Sequence, residues 1–287
     1  MSISTPTFTI VVPNYNYAHF MDDCLSSIFN QTFSDYEVLI CDGGSIDNSL
    51  SVIDKYLSDS RFKLFSTSDN GQANALNTAF KSASGKYFCY LNSDDYFITN
   101  KALSIVDRAF TEYGLIDFVS LGGYHVNQHG QFLNSIDYSH NNLYNLYNFN
   151  RRVAILQPST FWRSSSVNPS IIPFHETFRS NFDTVFFWES YKIGKCFLIS
   201  PQEKIVAYRL HSTNISHNEY YQKLIDKAAF LRLKGHSIRS YYLSFFVLIV
   251  RFLKFLFPFY LFNILIRIIR LIVNSISYLS FHYFPSF

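Results

Sequence analysis

No CxxC pair and no cysteine–histidine ligand spacing occurs among the four cysteines, Cys24, Cys41, Cys89 and Cys196. Neither a zinc module nor a disulfide framework is implied. The four lie in or beside apolar runs and read as small core residues of a reducing compartment. The chain also lacks GxGxxG and GxxxxGKS/T, so neither a dinucleotide fold nor a P-loop is favoured. Charge of one sign is scarce in excess: 24 Lys and Arg stand against 21 Asp and Glu, a formal +3. That total makes no case for nucleic acid as a partner. The start, MSISTPTFTIVVPNYN, has neither the basic opening nor the long apolar run of a signal peptide, so export is not expected.

What the chain does have is 287 residues, enough for one large domain or a domain with an appendage, and an aromatic content of 19%. Its most informative stretch is residues 86–96, KYFCYLNSDDY. An apolar, aromatic run bounded by polar residues reads as a buried strand. It stops at Asn92-Ser93-Asp94-Asp95. Two adjacent carboxylates at the end of a strand lie where open α/β sheets bind ligands. Their mutual repulsion calls for compensation, and a hard divalent cation held by nucleotide phosphates supplies it. A solvated turn accounts for the same residues, because Asn, Ser and Asp favour turns. The motif alone leaves both readings open.

The flanking chain bears on that choice. Residues 7–12 (TFTIVV) read as a strand ended by Pro13, with residues 14–17 as its loop and 19–30 as a helix. Residues 36–41 (YEVLIC) form a second strand followed by Asp42-Gly43-Gly44-Ser45, where Ser45 or Asp47 can cap a helix over 46–57. A strand over 61–66, the loop 69–72, a helix over 73–82 ended by Gly85, and the strand 87–91 follow. Four alternations of strand and helix imply βαβ units and a mostly parallel sheet. The loops after the first, second and fourth strands then share one sheet edge, and Asp42 converges there with Asp94 and Asp95.

The later pattern is a helix over 101–113, a strand over 116–121, a hairpin of 124–127 with 131–134, a helix over 178–191, a strand over 205–208 and a helix over 220–233. Asp183 lies among Phe182, Val185, Phe186 and Trp188. It fits either the polar edge of the helix or a chemical role. No Asp or Glu follows Asp226. Residues 240–287 are apolar apart from the pairs Arg251/Lys254 and Arg267/Arg270, each spaced to share a helix face. Pro258 interrupts them. The uncharged runs 240–250, 255–266 and 271–287 fall short of the roughly 20 residues of a membrane span. Apolar helices with a basic stripe suit the surface of an anionic bilayer. A buried helical hairpin, an oligomer interface, or a true span with snorkelling arginines also accommodates them.

The chain resembles family 2 glycosyltransferases of the GT-A fold, of the bacterial polysaccharide and O-antigen assembly kind. The resemblance rests on seven segments in order: 9–16 (TIVVPNYN), 38–47 (VLICDGGSID), 69–77 (DNGQANALN), 90–95 (YLNSDD), 157–163 (QPSTFWR), 174–188 (FHETFRSNFDTVFFW) and 208–216 (YRLHSTNIS). It implies a nucleotide-diphospho-sugar transferase fold, a Rossmann-like sheet flanked by helices, over 1–235, with a membrane-associating tail over 236–287. It implies transfer of a sugar from a nucleotide-sugar, such as a UDP-sugar, to the hydroxyl of a glycan or lipid-linked acceptor, with inversion. By the same resemblance Pro13, Tyr15 and Asp42 hold the base, and Asn77 belongs to the donor-site helix. Asp94 and Asp95 fall on the acidic motif for ribose and metal, Mn2+ or Mg2+, which His211 can also reach. Asp183 matches the general base. Asn92 stands where the family often has Asp, and Val185 where a second acid often follows the base. The place implied is the cytoplasm, peripheral on the inner face of the cell membrane. Two other classes compete with it: a non-catalytic binding or scaffold protein of this fold, and a sugar nucleotidyltransferase, whose Gly- and Arg-rich loop VVPNYNY lacks.

Truncation near Gly235 is expected to leave a folded domain that binds nucleotide-sugar but works poorly on its natural acceptor. Each of the four tail cations contributes about 1 kcal/mol of attraction to anionic lipid, so membrane binding of the full chain should weaken with salt. Flotation of both forms with anionic and neutral liposomes checks this. Equal flotation of the two would assign the tail to the core or to an oligomer interface.

Overall fold

The computed structural model describes residues 5–66, 71–138, 155–167 and 174–214, with positions 226, 229 and 235 besides. The chain divides into two compact units, Met1–Asn218 and Glu219–Phe287, and all the elements named below belong to the first. Apart from positions 226 and 229, both helical, the expected helix over 220–233 lies outside the described residues, as do the tail over 236–287 and the loop positions 69 and 70. The boundary proposed at 235 rests on them.

The first half alternates as its sequence requires. β1 (Phe8–Asn14), α1 (Ala18–Phe29), β2 (Tyr36–Asp42), α2 (Ser49–Asp54), β3 (Phe62–Ser66), α3 (Gln72–Ser82) and β4 (Tyr87–Tyr90) follow one another. β1 and β2 are buried at every position, as strands covered on both faces must be. β1 runs on through Pro13 to Asn14, whereas the sequence placed its end at Pro13. β4 pairs with β1 only as far as Val11, while β2 continues to Asn14. One side of Pro13 is therefore outside the ladder, where a missing N–H costs nothing. α2 is shorter than expected because Asp47 accepts from the main-chain N–H and hydroxyl of Ser49 at 3.0 and 2.5 Å. Those bonds shape a turn ahead of the helix.

The second half corrects the expectation of a mostly parallel sheet. After β4 come β5 (Tyr96–Phe97), α4 (Ala102–Glu112), β6 (Phe118–Asn127), β7 (Phe132–Ile136), β8 (Thr160–Arg163), α5 (Phe182–Lys192) and β9 (Phe197–Leu210). The nine-stranded sheet has the order β3-β2-β1-β4-β8-β6-β9-β5, with β7 on β6. β1 to β4 pair in parallel, as does β6 with β9; β8, β7 and β5 pair antiparallel with their neighbours. The sheet is mixed because β5, β7 and β8 join it antiparallel, β7 through the short hairpin that follows β6.

Both faces are packed. One carries Phe8, Ile10, Tyr87 and Cys89 against α1 and α4, and Tyr87 stacks on Phe110 at 4.0 Å between ring centres. The other is almost wholly aromatic. Phe88 meets Phe80, Tyr90 meets Phe174 and Phe182, and Trp162 meets Phe186. This layer uses part of the chain's wealth of aromatic residues and seats α5, whose first turn carries Asp183.

Where the helical and strand segments meet behind β1, the buried Glu37 accepts from the hydroxyls of Thr9 and Ser84 and the N–H of Ser84, each at 2.8 Å. Gly85 passes so close that a Cβ there would lie 2.5 Å from the Thr9 nitrogen and 2.8 Å from the Phe8 carbonyl carbon. Those are backbone atoms of a central strand and cannot yield cheaply. Gly85→Ala is expected to cost about 1–3 kcal/mol, read as a lower urea midpoint with an unchanged slope.

Candidate active site

β1, β2 and β4 run parallel and end side by side, and the polar residues at their ends form one edge of the sheet. Asp42 closes β2 and is buried. Its Oδ1 accepts from the N–H groups of Gly44 and Ser45 at 3.1 and 2.8 Å. Its Oδ2 accepts from the Asn14 amide at 2.8 Å and the Ser45 hydroxyl at 2.7 Å. The Ser45 hydroxyl in turn accepts from the Asn16 N–H at 2.9 Å. Gly44, at φ +85°, supplies the left-handed residue this turn needs. Both Asp42 oxygens are thus taken up by its own loop. Pro13 lies buried at the same edge, and Tyr15 stands 60% exposed beyond it. Asn14 Oδ1 is buried with no hydrogen-bond partner among the described residues.

The acidic loop after β4 is held from the far end of the chain. β5 pairs with β9, Tyr96 opposite Ala207, and so carries Asp94 and Asp95 to Arg209, His211 and Asn214. Asp94 Oδ2 lies 3.0 Å from His211 Nε2 and accepts from the Asn214 amide at 3.1 Å. His211 Nδ1 lies 2.8 Å from the Thr213 hydroxyl. Both imidazole nitrogens are therefore engaged. Asp95 is 2% exposed; its Oδ1 accepts from the Arg209 N–H at 2.9 Å, and its Oδ2 has no partner among the described residues. Burial, and next the charge of Asp94, push the Asp95 carboxyl well above the usual range, against the pull of Arg209. Tyr17 completes this wall, with its phenol donating to the Thr213 carbonyl at 2.8 Å and its ring edge-on to His211.

Asn92, at the position where an acid was noted as frequent, joins an amide network instead. It accepts from Gln72 at 2.7 Å and reaches Gln157 at 3.5 Å, and Gln157 donates to the Tyr90 carbonyl at 2.8 Å. Asn77, expected on the donor side, spends its amide on another task. It donates to the Phe174 carbonyl at 2.8 Å and Glu176 at 3.1 Å, and accepts from the Phe174 N–H at 3.1 Å. It thereby ties α3 to the segment that leads into α5.

Asp183 sits in the first turn of α5, where its Oδ1 accepts from the Thr184 N–H at 2.7 Å. Burial raises its pKa to about 6, against that hydrogen bond. The buried phenol of Tyr90 is held protonated first by burial, then by Asp183, Tyr208 and Asp95. One ring thus feels both the base candidate and the acidic loop. Arg209, Asn214, Gln72 and Gln157 were not singled out from the sequence. All four lie within segments that carry the resemblance, 69–77, 157–163 and 208–216, without a role assigned there.

Among the described residues, no three His, Cys, Asp or Glu side chains form a group able to hold a metal ion by themselves. A cation bound by one or two carboxylates that takes its other ligands from a diphosphate and water needs no such group. The unpartnered, buried oxygen of Asp95 and the poorly compensated charge around it fit that kind of site. Asp95 would be the ligand, with His211, which follows β9 and lies 3.0 Å from Asp94 Oδ2, as a second.

The family model described as Glycosyl transferase family 2 matches residues 9–199. An Escherichia coli protein named UDP-Glc:alpha-D-GlcNAc-diphosphoundecaprenol beta-1,3-glucosyltransferase is 42% identical over 94 residues, 32% of this chain and 37% of that one. A Pasteurella multocida hyaluronan synthase is 44% identical over 92 residues, 32% of this chain and 10% of that one. The chain therefore spans little more than a third of these relatives at most. Among solved structures, S. aureus TarS 1-349 in complex with UDP-GlcNAc superposes with a TM-score of 0.62 at 21% identity, covering 78% of this chain and 66% of that one. A Pyrobaculum calidifontis mannosyltransferase in complex with GDP-Man and Mn2+ gives 0.58 at 18% identity, covering 79% and 62%. At such identities the likeness is one of fold, a mixed α/β sheet flanked by helices.

If Asp42 builds its loop, removing its charge should cost stability with no ligand present. Asp42→Asn is expected to lower the unfolding free energy of the apo protein by about 1–3 kcal/mol. Urea denaturation measures it, and an unchanged midpoint would mean the carboxylate serves a ligand alone.

Proposed function

The chain belongs to glycosyl transferase family 2, and we propose that it transfers a sugar, with inversion, from a nucleotide-diphospho-sugar to a hydroxyl of a glycan or lipid-linked acceptor. The observation that carries this reading is the pairing of two unlike acidic sites around Tyr90. One is an acidic loop with an unpartnered buried oxygen on Asp95. The other is a lone acid, Asp183, with a pKa of about 6. A nucleotide diphosphate suits the first, and an acceptor hydroxyl the second.

In this mechanism Asp183 accepts the proton of the acceptor hydroxyl as that oxygen attacks the anomeric carbon. The bond from that carbon to the diphosphate breaks, and the proton ends on Asp183. Attack from the side opposite the leaving group inverts the centre. Tyr15 offers its exposed ring to the base beside Pro13, on the loop that Asp42 shapes. Asp94 and Asp95 take the ribose and metal side, with Asp95 and His211 as metal ligands. Asn77 keeps α3 and the approach to α5 in register. A divalent ion, Mn2+ or Mg2+, would supply neutralisation of the charge that builds on the leaving diphosphate.

A UDP-sugar donor and a polyprenyl-diphosphate acceptor are favoured by the names of the E. coli relative and of the TarS complex. Among the described residues no helix is long and apolar enough to cross a membrane. Association with the inner face of the cell membrane, in the cytoplasm, is proposed from the tail sequence, whose four cations and apolar runs suit an in-plane anchor.

Asp183→Asn keeps the shape and removes the base. Turnover should fall about 10²–10⁴-fold, with nucleotide-sugar binding retained. In the parent, transfer should rise with pH through about 6 as Asp183 ionises, and this limb should vanish in the variant. The raised pKa means the folded state holds this proton more tightly than the unfolded one. Its contribution to stability is complete below the ordinary Asp value and is lost as pH rises through about 6. Above that pH the variant should melt no lower than the parent. Unchanged turnover would remove Asp183 from the mechanism.

A further inference from the structure

Arg209 is nearly the last residue of β9, and its side chain is 3% exposed beneath the acidic loop. Its guanidinium serves three separate segments at once. Nε donates to the Asp94 carbonyl at 3.0 Å, Nη1 to the Gln128 carbonyl at the tip of the β6–β7 hairpin at 3.1 Å, and Nη2 to Asp23 of α1 at 2.6 Å. Its own N–H donates to Asp95 Oδ1. The planar group lies against the rings of Phe20 at 4.6 Å and Tyr96 at 5.1 Å, which fix its plane. We infer that Arg209 is the positioning residue of the acidic loop, orienting Asp94 and Asp95 so that one oxygen of Asp95 stays unpartnered for a ligand.

The geometry favours orientation over simple neutralisation. If charge alone were needed, the guanidinium would face the Asp95 carboxylate. It instead grips the Asp94 main chain and two neighbouring segments, and only the Arg209 main chain touches Asp95. A lysine carries the same charge, but its single nitrogen cannot donate in three fixed coplanar directions. Asp23 is its charged partner among the described residues, and it is 60% exposed, so the ion pair itself contributes little. The loop is thus held by a fork whose directions matter more than its charge.

This inference rests on the reading that the acidic loop binds a nucleoside diphosphate together with a cation. The test is calorimetric titration of the full-length protein with UDP and with GDP, each with and without Mn2+, alongside thermal melting. Arg209→Lys should lose about 10–100-fold in Mn2+-dependent affinity, while affinity without metal is kept. Asp23→Asn should lose no more than about fivefold. An Arg209→Lys protein that is folded and binds as the parent overturns the proposal. So does one that loses the same factor with and without metal, since that marks a general structural role. If Arg209→Lys does not fold, Phe20→Leu removes one stacking surface and leaves the guanidinium's bonding partners in place. It should show the same metal-selective loss to a smaller degree, and equal affinities there overturn the proposal. A parent protein that binds neither nucleotide in response to Mn2+ removes the donor reading and this inference with it.

Discussion

Two carboxylates on adjacent residues, one of them fully buried, are the constraint around which the rest is arranged. Asp94 and Asp95 repel each other, and burial of Asp95 raises the cost of its charge. Main-chain N–H groups of the loop cannot satisfy them alone. The solution lies over a hundred residues away, on a strand of fourteen residues whose end supplies Arg209, then His211 and Asn214 just beyond it. β5 is only two residues long, yet its pairing with β9 brings the two parts of the chain together. Compensation remains incomplete at Asp95 Oδ2. Burial and the neighbouring Asp94 favour the protonated form of that carboxyl.

The aromatic layer on the opposite side of β4 performs a different task with the same means. Phe174, Phe182, Phe186 and Trp162 pack α5 onto the sheet, and Asp183 lies half-buried in its first turn. Desolvation raises the pKa of a carboxyl that accepts from Thr184 among the described residues. Three acids in one region thereby have two distinct environments. Asp94 and Asp95 are crowded together beside Arg209 and His211, and Asp183 stands apart, half-buried against Thr184. Tyr90, which feels both, marks where the proposed donor and acceptor sides meet.

Several polar residues at this edge are held by neighbouring protein groups. Asp42 has four hydrogen-bond donors around two oxygens. Asn77 clamps the backbone of Phe174, and Asn92 links Gln72 to Gln157. Each sits at the right edge of the sheet, and a motif alone does not distinguish a side chain that touches a ligand from one that shapes the loop around it. Tyr15 is the converse: exposed, lightly held, and free to meet a flat partner.

The amino-acid sequence by itself determined the local elements. Apolar runs of five to seven residues separated by helical periodicity made β1 to β4 and the helices between them legible, and with them the edge where Asp42, Asp94 and Asp95 meet, because parallel strands must end on one side. It also carried the family, through short segments in a shared order. What only the tertiary structure decided is everything that depends on pairing across long separations. The antiparallel β5 and β8, the mixed character of the sheet, the guanidinium of Arg209 under the acidic loop and the clamp of Asn77 all join residues that are dozens to more than a hundred positions apart. The raised pKa of Asp183 belongs with them, since burial is a property of the packed neighbours and not of the residue. Periodicity reports on the few residues within one strand or one turn of helix. It carries no record of which distant strand will come to lie alongside.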